Sequence, residues 1–164
     1  KMIFHVILGV TLATIFFQLV WTRSQGFSTK RIVSLCLQNI LFVQWGIGGI
    51  FVSLPHIFSP DSIANFIGWP AGSPFQLELG FASLGIAILG VLSLWIRGNF
   101  WIAPVVAQST FLLGAAGIHI QDLLEHGNFA AGNAGPILFY DIFIPIVALT
   151  LLVFHLKHQG TLNE

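Results

Sequence analysis

The stretch from Phe75 to Trp95 reads FQLELGFASLGIAILGVLSLW, and Glu78 is its one charged side chain. A helix that crosses a bilayer needs about 20 mostly apolar residues, and this stretch is long enough. Four further stretches have the same apolar character, and they cover residues 2–21, 32–54, 100–120 and 137–156. The sequence therefore predicts an all-α integral membrane bundle of five transmembrane helices, forming a single domain over residues 1–164.

The composition supports this class of protein. Hydrophobic residues make up 55% of the 164 residues, charged residues make up 7%, and the mean hydropathy is +0.88. A soluble domain carries about a quarter charged residues. Six Lys plus Arg are too few for a nucleic-acid binder that relies on phosphate contacts. The single cysteine, Cys36, excludes an internal disulfide. We therefore expect the lipid bilayer as a partner and no nucleic acid.

Two connections between the spans have a pattern of their own. Residues 55–74 contain Ser59-Pro60-Asp61, a hydroxyl side chain followed by proline at a first helical position. This pattern predicts a short interfacial helix over residues 62–69, anchored by Phe66 and Trp69. Residues 121–136 are rich in Gly and Asn, which indicates an ordered series of turns.

The basic residues predict the orientation of the bundle. With five spans, Lys1 lies on one side, and the other side holds five of the six bases: Arg23, Lys30, Arg31, Arg97 and Lys157. Cytoplasmic loops of membrane proteins carry the excess of Lys and Arg. We therefore expect the N-terminus outside and the C-terminus in the cytoplasm.

The acids are distributed the other way. Glu164 is inside, and the predicted outer half holds Asp61, Glu78, Asp122, Glu125 and Asp141. Glu78, His119 and Asp141 lie at a similar shallow depth in three different spans, and no Arg or Lys is placed to neutralise them. Ionisable side chains within spans usually face the bundle interior or a wet cavity. We therefore take Glu78, His119 and Asp141 as candidate catalytic residues of an outer site.

The run from His119 to His126 suggests a metal site. On a continuing helix, His119 and Asp122 are three residues apart and Asp122 and His126 are four apart, so all three share one stripe. With Glu78 or Asp141 they would supply nitrogen and oxygen ligands for a divalent transition metal such as zinc, iron or manganese. A structural interpretation stays open. In it, His119 bonds Asp141 or Glu78 to hold helices together, and a solvated loop contains Asp122, Glu125 and His126.

Other residues are expected to line this site or to pack the helices. Gln108, on the same stripe as His119, indicates a partly polar cleft, and Asn128 and Asn133 belong to a loop over residues 127–135 that would cap it. Pro104 and Pro145 are expected to kink their spans. A stripe of small or polar residues on the third span predicts close approach by another helix; it consists of Gln76, Gly80, Ser83, Ala87 and Gly90.

Two resemblances extend this interpretation. Residues 68–82, the tripeptide Gly117-Ile-His119 and residues 127–135 resemble an uncharacterised family of small prokaryotic multi-pass membrane proteins, over residues 68–145. This resemblance implies a prokaryotic inner (cytoplasmic) membrane and no assigned activity. More distantly, Glu78 at the start of a Gly/Ala-rich span, a tight turn with Arg97 and a span ending in His119 are similar to DoxX-like membrane proteins.

The DoxX-like resemblance implies a link to quinone-dependent sulfur oxidation or redox-stress complexes, and functional roles for Glu78, Arg97 and His119. DoxX-like proteins have four helices, whereas this chain has a fifth predicted span and a longer Gly/Asn loop.

Three hypotheses of function follow. In the first, the outer carboxylate/histidine site binds a metal or performs proton-coupled redox chemistry on a lipid-soluble substrate such as a quinone. A haem held by His5 with His119 or His126 is a weaker variant. In the second, the chain is a non-catalytic accessory subunit of a larger membrane complex or forms a homo-oligomer. In the third, the chain is a proton- or cation-coupled carrier. The middle of its spans lacks the ionisable groups that such a carrier is expected to have.

Overall fold

The computed structural model describes residues 3–160, and this part of the chain is helical and contains no strands. Five helical segments in it are long and apolar enough to cross a membrane, which confirms the predicted all-α architecture. The first is α1 (Ile3–Trp21). The second consists of α2 (Thr29–Asn39), a π-helical segment (Ile40–Ile47) and α3 (Gly48–Phe58). After the short α4 (Pro60–Ile67), the remaining three are α5 (Phe75–Leu92), α6 (Ile102–His126) and α7 (Pro136–Gln159).

The short helix predicted between the second and third spans is α4. It begins two residues earlier than expected because Pro60 occupies its first turn, where a missing N–H costs nothing. Gly68 ends it in the left-handed region, with φ of 86°. Trp69, which the sequence placed in this helix, therefore lies just beyond its end.

The second span and α5 approach each other at glycines. A Cβ at Gly90 would lie 2.7 Å from the carbonyl oxygen of Leu41, and a Cβ at Gly46 would lie 2.8 Å from the amide nitrogen of Val91. Gly80 and Ala87 of the predicted stripe are also buried, whereas Ser83 is half-buried. The expected close approach is thus confirmed, and it occurs against the π-helical segment and α3.

Polar side chains fasten α1 to the second span. The amide of Asn39 donates to Oε1 of Gln18 over 2.8 Å, and the hydroxyl of Thr11 lies 3.1 Å from Oε1 of Gln44. Hydrogen bonds of this kind between helices satisfy polar groups that cannot form hydrogen bonds with lipid.

The structure corrects two helix boundaries. Residues Gly98–Trp101 form a 3₁₀ turn, so Pro104 lies in the first turn of α6, where proline is tolerated, and not in mid-span. At its other end α6 continues to His126, beyond the predicted limit at residue 120. The run from His119 to His126 is therefore entirely helical.

The two ends of the bundle differ in packing and in charge. An apolar core joins the second span, α6 and α7, and includes Leu37, Trp101 and Leu152. We call the end near this core the basic end, because it carries Arg23, Lys30, Arg31, Arg97 and Lys157. The other is the acidic end, with Asp61, Glu78, Asp122, Glu125 and Asp141. Lys1 and Glu164 lie outside the described residues, and which end faces the cytoplasm stays a prediction.

Candidate functional site

Asn133 is the centre of the polar network at the acidic end. Its side chain is fully buried, and its Nδ2 donates to the backbone carbonyls of His119 (3.1 Å) and Asn128 (2.9 Å). Carbonyl oxygens can only accept, so this amide orientation follows from its two partners. The remaining atom, Oδ1, lies 2.7 Å from Nδ1 of His119. Because Oδ1 can only accept, Nδ1 of His119 carries the proton.

This contact leaves His119 with one available nitrogen. When Nδ1 carries the proton of a neutral imidazole, Nε2 keeps its lone pair. Nε2 makes no hydrogen bond to the described part of the chain, and the side chain is 7% exposed. The imidazole also stacks on the indole of Trp69, with ring centroids 5.6 Å apart at 24°. The amide of Asn133 and the indole of Trp69 therefore hold the imidazole of His119 in one orientation, with Nε2 as a hydrogen-bond acceptor.

Asp122, one turn further along α6, receives hydrogen bonds from two separate segments. Its Oδ2 accepts from Nε1 of Trp69 (2.9 Å) and from Nδ2 of Asn128 (2.6 Å). Its Oδ1 lies 3.0 Å from Nδ1 of His126, which is four residues away and exposed. The predicted proximity of Asp122 and His126 is therefore present. Asp122 joins the residue after α4 to the loop after α6, so it is not a residue of a solvated loop.

Glycines allow the loop over residues 127–135 to lie against α4. Gly127 ends α6 in the left-handed region, with φ of 64°. The amide of Gly132 donates to the carbonyl of Phe66 over 3.0 Å, and a Cβ there would lie 2.7 Å from that same oxygen. Asn128 also donates to the carbonyl of Ile67. The Gly/Asn-rich stretch is thus the ordered series of turns that its composition predicts.

The structure does not bring Glu78 to this network. Glu78 is exposed in the first turn of α5, whereas Gln76 and Gly80 are buried. Each residue advances about 100° around a helix, so the position midway between two buried neighbours faces away from the core. Gln76 lies on the buried face of α5, and its Oε1 is 2.7 Å from Nδ1 of His56. The hydrogen bond between Glu78 and His119 that the structural interpretation offered is therefore absent.

Asp141 has a different environment. It lies in the second turn of α7 and is 6% exposed, and no hydrogen bond or ion pair joins it to another residue within 3–160. The bond to His119 that the structural interpretation offered is absent, and Nδ1 of that histidine bonds the loop residue Asn133 instead. Asp141 is thus a buried carboxyl group of α7 without an intramolecular partner in the described part of the chain.

The ligand set proposed for a metal is not assembled. Among the described residues, no three His, Cys, Asp or Glu side chains lie close enough together to hold a metal ion. His119 is turned to Asn133, Glu78 faces outward, and His5 lies against Tyr140, with its Nδ1 3.3 Å from the phenol oxygen. Gln108 is half-buried about 16 Å along α6 from His119, at 1.5 Å per residue. It makes no hydrogen bond to this network.

Two members of the network have roles that the sequence does not predict. Trp69, predicted to anchor the interfacial helix, donates to Asp122 and stacks on His119. Asn133, predicted to line the site, is the buried group that orients the imidazole. A signal for Asn133 exists in the sequence, because an amide inside a Gly-rich series of turns is suited to bonding backbone groups.

The comparisons with known proteins place the chain in a family. Residues 1–161 match a protein family described as "Family of unknown function (DUF6790)". This match confirms the expected uncharacterised family and extends it beyond residues 68–145. It gives no support to the DoxX-like resemblance or to a prokaryotic source. No curated protein matches the chain. No solved structure matches it either.

Proposed function

Because the chain belongs to this family of unknown function, we propose its function from its own geometry: the acidic end binds a lipid-soluble molecule with a hydroxyl group, such as a quinol, and His119 accepts the proton of that hydroxyl. The observation that carries the proposal is the hydrogen bond between Asn133 and His119. It directs the lone pair of the imidazole to Nε2, which has no partner in the described chain. An imidazole held in this way presents a lone pair that can accept a proton from a bound hydroxyl group.

A membrane-dissolved ligand would have to reach this nitrogen through the small part of His119, 7%, that is exposed. The indole of Trp69 supplies a flat apolar wall beside the imidazole. An aromatic ligand with a polar group suits such a combination.

Further groups at this end are suited to take up protons. Asp141 is a buried carboxyl group without a hydrogen-bond partner in residues 3–160, and it lies on the neighbouring helix α7. His126 is exposed beyond Asp122 on the same stripe as His119. Oxidation of a quinol to a quinone releases two protons and two electrons. In our proposal side chains of this chain accept the protons, and a haem or flavin protein takes the electrons.

The experiment is a binding titration with a short-chain quinol, a probe suggested by the DoxX-like pattern of Glu78, Arg97 and His119. The full chain is reconstituted in nanodiscs, and quenching of tryptophan fluorescence reports binding. We expect His119→Ala to weaken binding about tenfold or more, the equivalent of one hydrogen bond of about 1.4 kcal/mol. The matched control is His158→Gln, an exposed histidine at the basic end. Equal affinities for all three proteins would contradict the proposal.

Elemental analysis of the same samples tests the metal hypothesis. Stoichiometric zinc, iron or manganese in the wild type, lost in His119→Ala, would replace the quinol proposal with a metal site. An absorption spectrum would likewise show a haem. Because Glu78 faces outward, we expect Glu78→Gln to change neither result.

The accessory-subunit hypothesis has one specific observation in its favour. Only 11% of the window Phe4–Trp21 is buried, and the exposed side of α1 forms a groove of about 340 Å³ lined by Val10, Ala13 and Phe17. Gly9, one turn from Ala13, meets no atom within 4 Å. Small residues four apart let a second transmembrane helix approach closely. Ala13→Leu would then reduce co-purification of a partner or the oligomer mass in detergent, and an unchanged mass and partner content would contradict this reading.

We further propose that the basic end faces the cytoplasm of a prokaryotic cell, as the excess of Lys and Arg suggests. Single cysteines in a Cys36→Ser background test this orientation. A cysteine at Ser73, in the exposed connection at the acidic end, should react with an impermeant thiol reagent in intact cells. A cysteine at Asn99, in the exposed turn at the basic end, should react only after lysis. The reverse pattern would invert the orientation.

A further inference from the structure

A polar cavity lies at the basic end, at the opposite end of the bundle from His119. Its volume is about 300 Å³, and it is lined from four parts of the chain: the connection after α1, α2, the turn before α6, and the end of α7. The side chains that matter for its chemistry are Gln25, Arg31, Ser34, Gln38, Arg97 and His155. None of these residues belongs to the network at the acidic end.

The two guanidinium groups of this cavity lack a neutralising partner. No carboxylate lies at this end among residues 3–160, since all the described acids are at the acidic end. Arg97 donates through Nε to the carbonyl of Leu94 over 3.2 Å, and its two terminal nitrogens have no partner in the described chain. A pair of permanent cations in one cavity without a counter-charge favours an anionic ligand.

Arg31 is held in place by the loop that precedes it. Its Nη1 donates to the carbonyl of Gly26, and its Nη2 donates to the hydroxyl of Thr22. A guanidinium group has five N–H donors, so Arg31 retains donors after these two bonds. Loop contacts therefore orient the charge before any ligand arrives, which reduces the entropy cost of binding.

The wall between α2 and α7 presents a further donor. Nε2 of Gln159 lies 2.7 Å from Nε2 of His155, and Nδ1 of His155 lies 3.0 Å from the hydroxyl of Ser34. Since the amide nitrogen of Gln159 donates, Nε2 of His155 accepts and Nδ1 carries the proton to Ser34. The hydroxyl proton of Ser34 is then available to the cavity. Trp101 stacks on His155, with ring centroids 4.7 Å apart, and keeps the ring in position.

We propose that this cavity binds a phosphate group. Two guanidinium groups and a hydroxyl donor around a small cavity match the charge and the several acceptor oxygens of phosphate, which arginine recognises through paired N–H donors. The exposed Trp21 and Trp95 lie at the same end, and tryptophan is enriched where lipid headgroups lie. The phosphate belongs either to an anionic lipid headgroup or to a free phosphate anion, and the two sources share this chemistry.

The test compares the wild type with Arg97→Gln and with the matched control Lys157→Gln, which removes an exposed cation at the same end that does not line the cavity. Each full-length protein is exchanged into mixed phosphatidylcholine and phosphatidylglycerol, and bound lipid is counted by native mass spectrometry. In a second arm, inorganic phosphate is titrated in neutral detergent while the thermal unfolding midpoint is followed.

We expect Arg97→Gln to weaken binding about tenfold and Lys157→Gln to leave it unchanged. Retained phosphatidylglycerol identifies the lipid as the source, and a rise of the midpoint with inorganic phosphate identifies the free anion. If Arg97→Gln loses its helical circular dichroism, Ser34→Ala takes its place with the same expectation. The proposal would be overturned if neither probe binds. It would also be overturned if the wild type, the cavity variant and Lys157→Gln bind both probes equally.

Discussion

The side-chain amide of Asn133 binds His119 at two points, through Oδ1 to the ring nitrogen Nδ1 (2.7 Å) and through Nδ2 to the backbone carbonyl (3.1 Å). One loop residue thus sets the rotation of the imidazole and ties the loop to α6. A third bond from the same Nδ2 reaches the carbonyl of Asn128 and closes the loop on itself. One amide therefore orients the candidate proton acceptor and also contributes to the order of the loop.

Replacing this amide should destabilise the acidic end. In Asn133→Ala, Nδ1 of His119 and two backbone carbonyls lose a buried partner, and each unsatisfied group costs about 1–3 kcal/mol. We expect a clear fall in the thermal unfolding midpoint, measured by circular dichroism in detergent. The control is Asn99→Ala, an exposed asparagine at the basic end, which should be neutral. Equal midpoints for the two variants would show that the Asn133 network contributes nothing to stability.

The close approach between α5 and the second span makes a prediction about glycine. In Gly90→Ala the new Cβ would lie 2.7 Å from the carbonyl of Leu41, and the helices must separate at a cost of about 1–3 kcal/mol. Gly85→Ala is the matched control on the same helix, because a Cβ there meets nothing within 4 Å. It should be neutral or stabilising by up to about 1 kcal/mol, since alanine favours helices. Unfolding in increasing fractions of dodecyl sulfate gives both values, and a neutral Gly90→Ala would refute this packing.

Asp122 joins Trp69 and Asn128 through a single carboxylate oxygen. Asp122→Asn removes the negative charge that strengthens these hydrogen bonds, and it turns one of the two acceptor oxygens into an N–H donor. We expect a loss of about 1–3 kcal/mol. Glu125→Gln, in which an exposed side chain bonds Gln121 alone, should stay within about 0.5 kcal/mol of the wild type.

A double-mutant cycle identifies the Trp69 part of this effect. Trp69→Phe removes the indole N–H and keeps an aromatic ring against His119. Because Asp122→Ala removes the accepting oxygen altogether, Trp69→Phe and Asp122→Ala together should cost less than the sum of the single changes, by about 0.5–3 kcal/mol. Strict additivity would mean that the two side chains do not interact.

Two polar residues at the start of α5 should behave differently. Gln76 is buried and pairs with His56, whereas Glu78 is exposed without a hydrogen bond to the rest of the described chain. Gln76→Leu should therefore cost about 1–3 kcal/mol, because it leaves a half-buried imidazole unpaired. Glu78→Gln should be within about 0.5 kcal/mol of the wild type. Thermal unfolding of both proteins in one detergent compares them, and a larger loss for Glu78→Gln would place that carboxylate in the core.

The sequence by itself determined the class of the protein, its five apolar helices, the short helix at Pro60 and the small-residue face of α5. These features follow from local properties: a run of apolar residues long enough to cross a bilayer, a proline, which is tolerated only at certain positions of a helix, and the regular advance of a helix by about 100° per residue. Gly80, Ala87 and Gly90 share one face whatever packs against them.

The tertiary structure alone decided which polar groups of different helices and loops meet. Depth in the membrane can be counted along a helix, and that count placed Glu78, His119 and Asp141 at one level. It could not give the rotation of each helix, which depends on the partner that packs against it, and the packing of Gln76 and Gly80 turned Glu78 outward. Trp69 meets Asp122 across 53 positions, and Ser34 meets His155 across 121. Such contacts depend on the packing of whole helices, because a hydrogen bond requires its two atoms within about 3 Å.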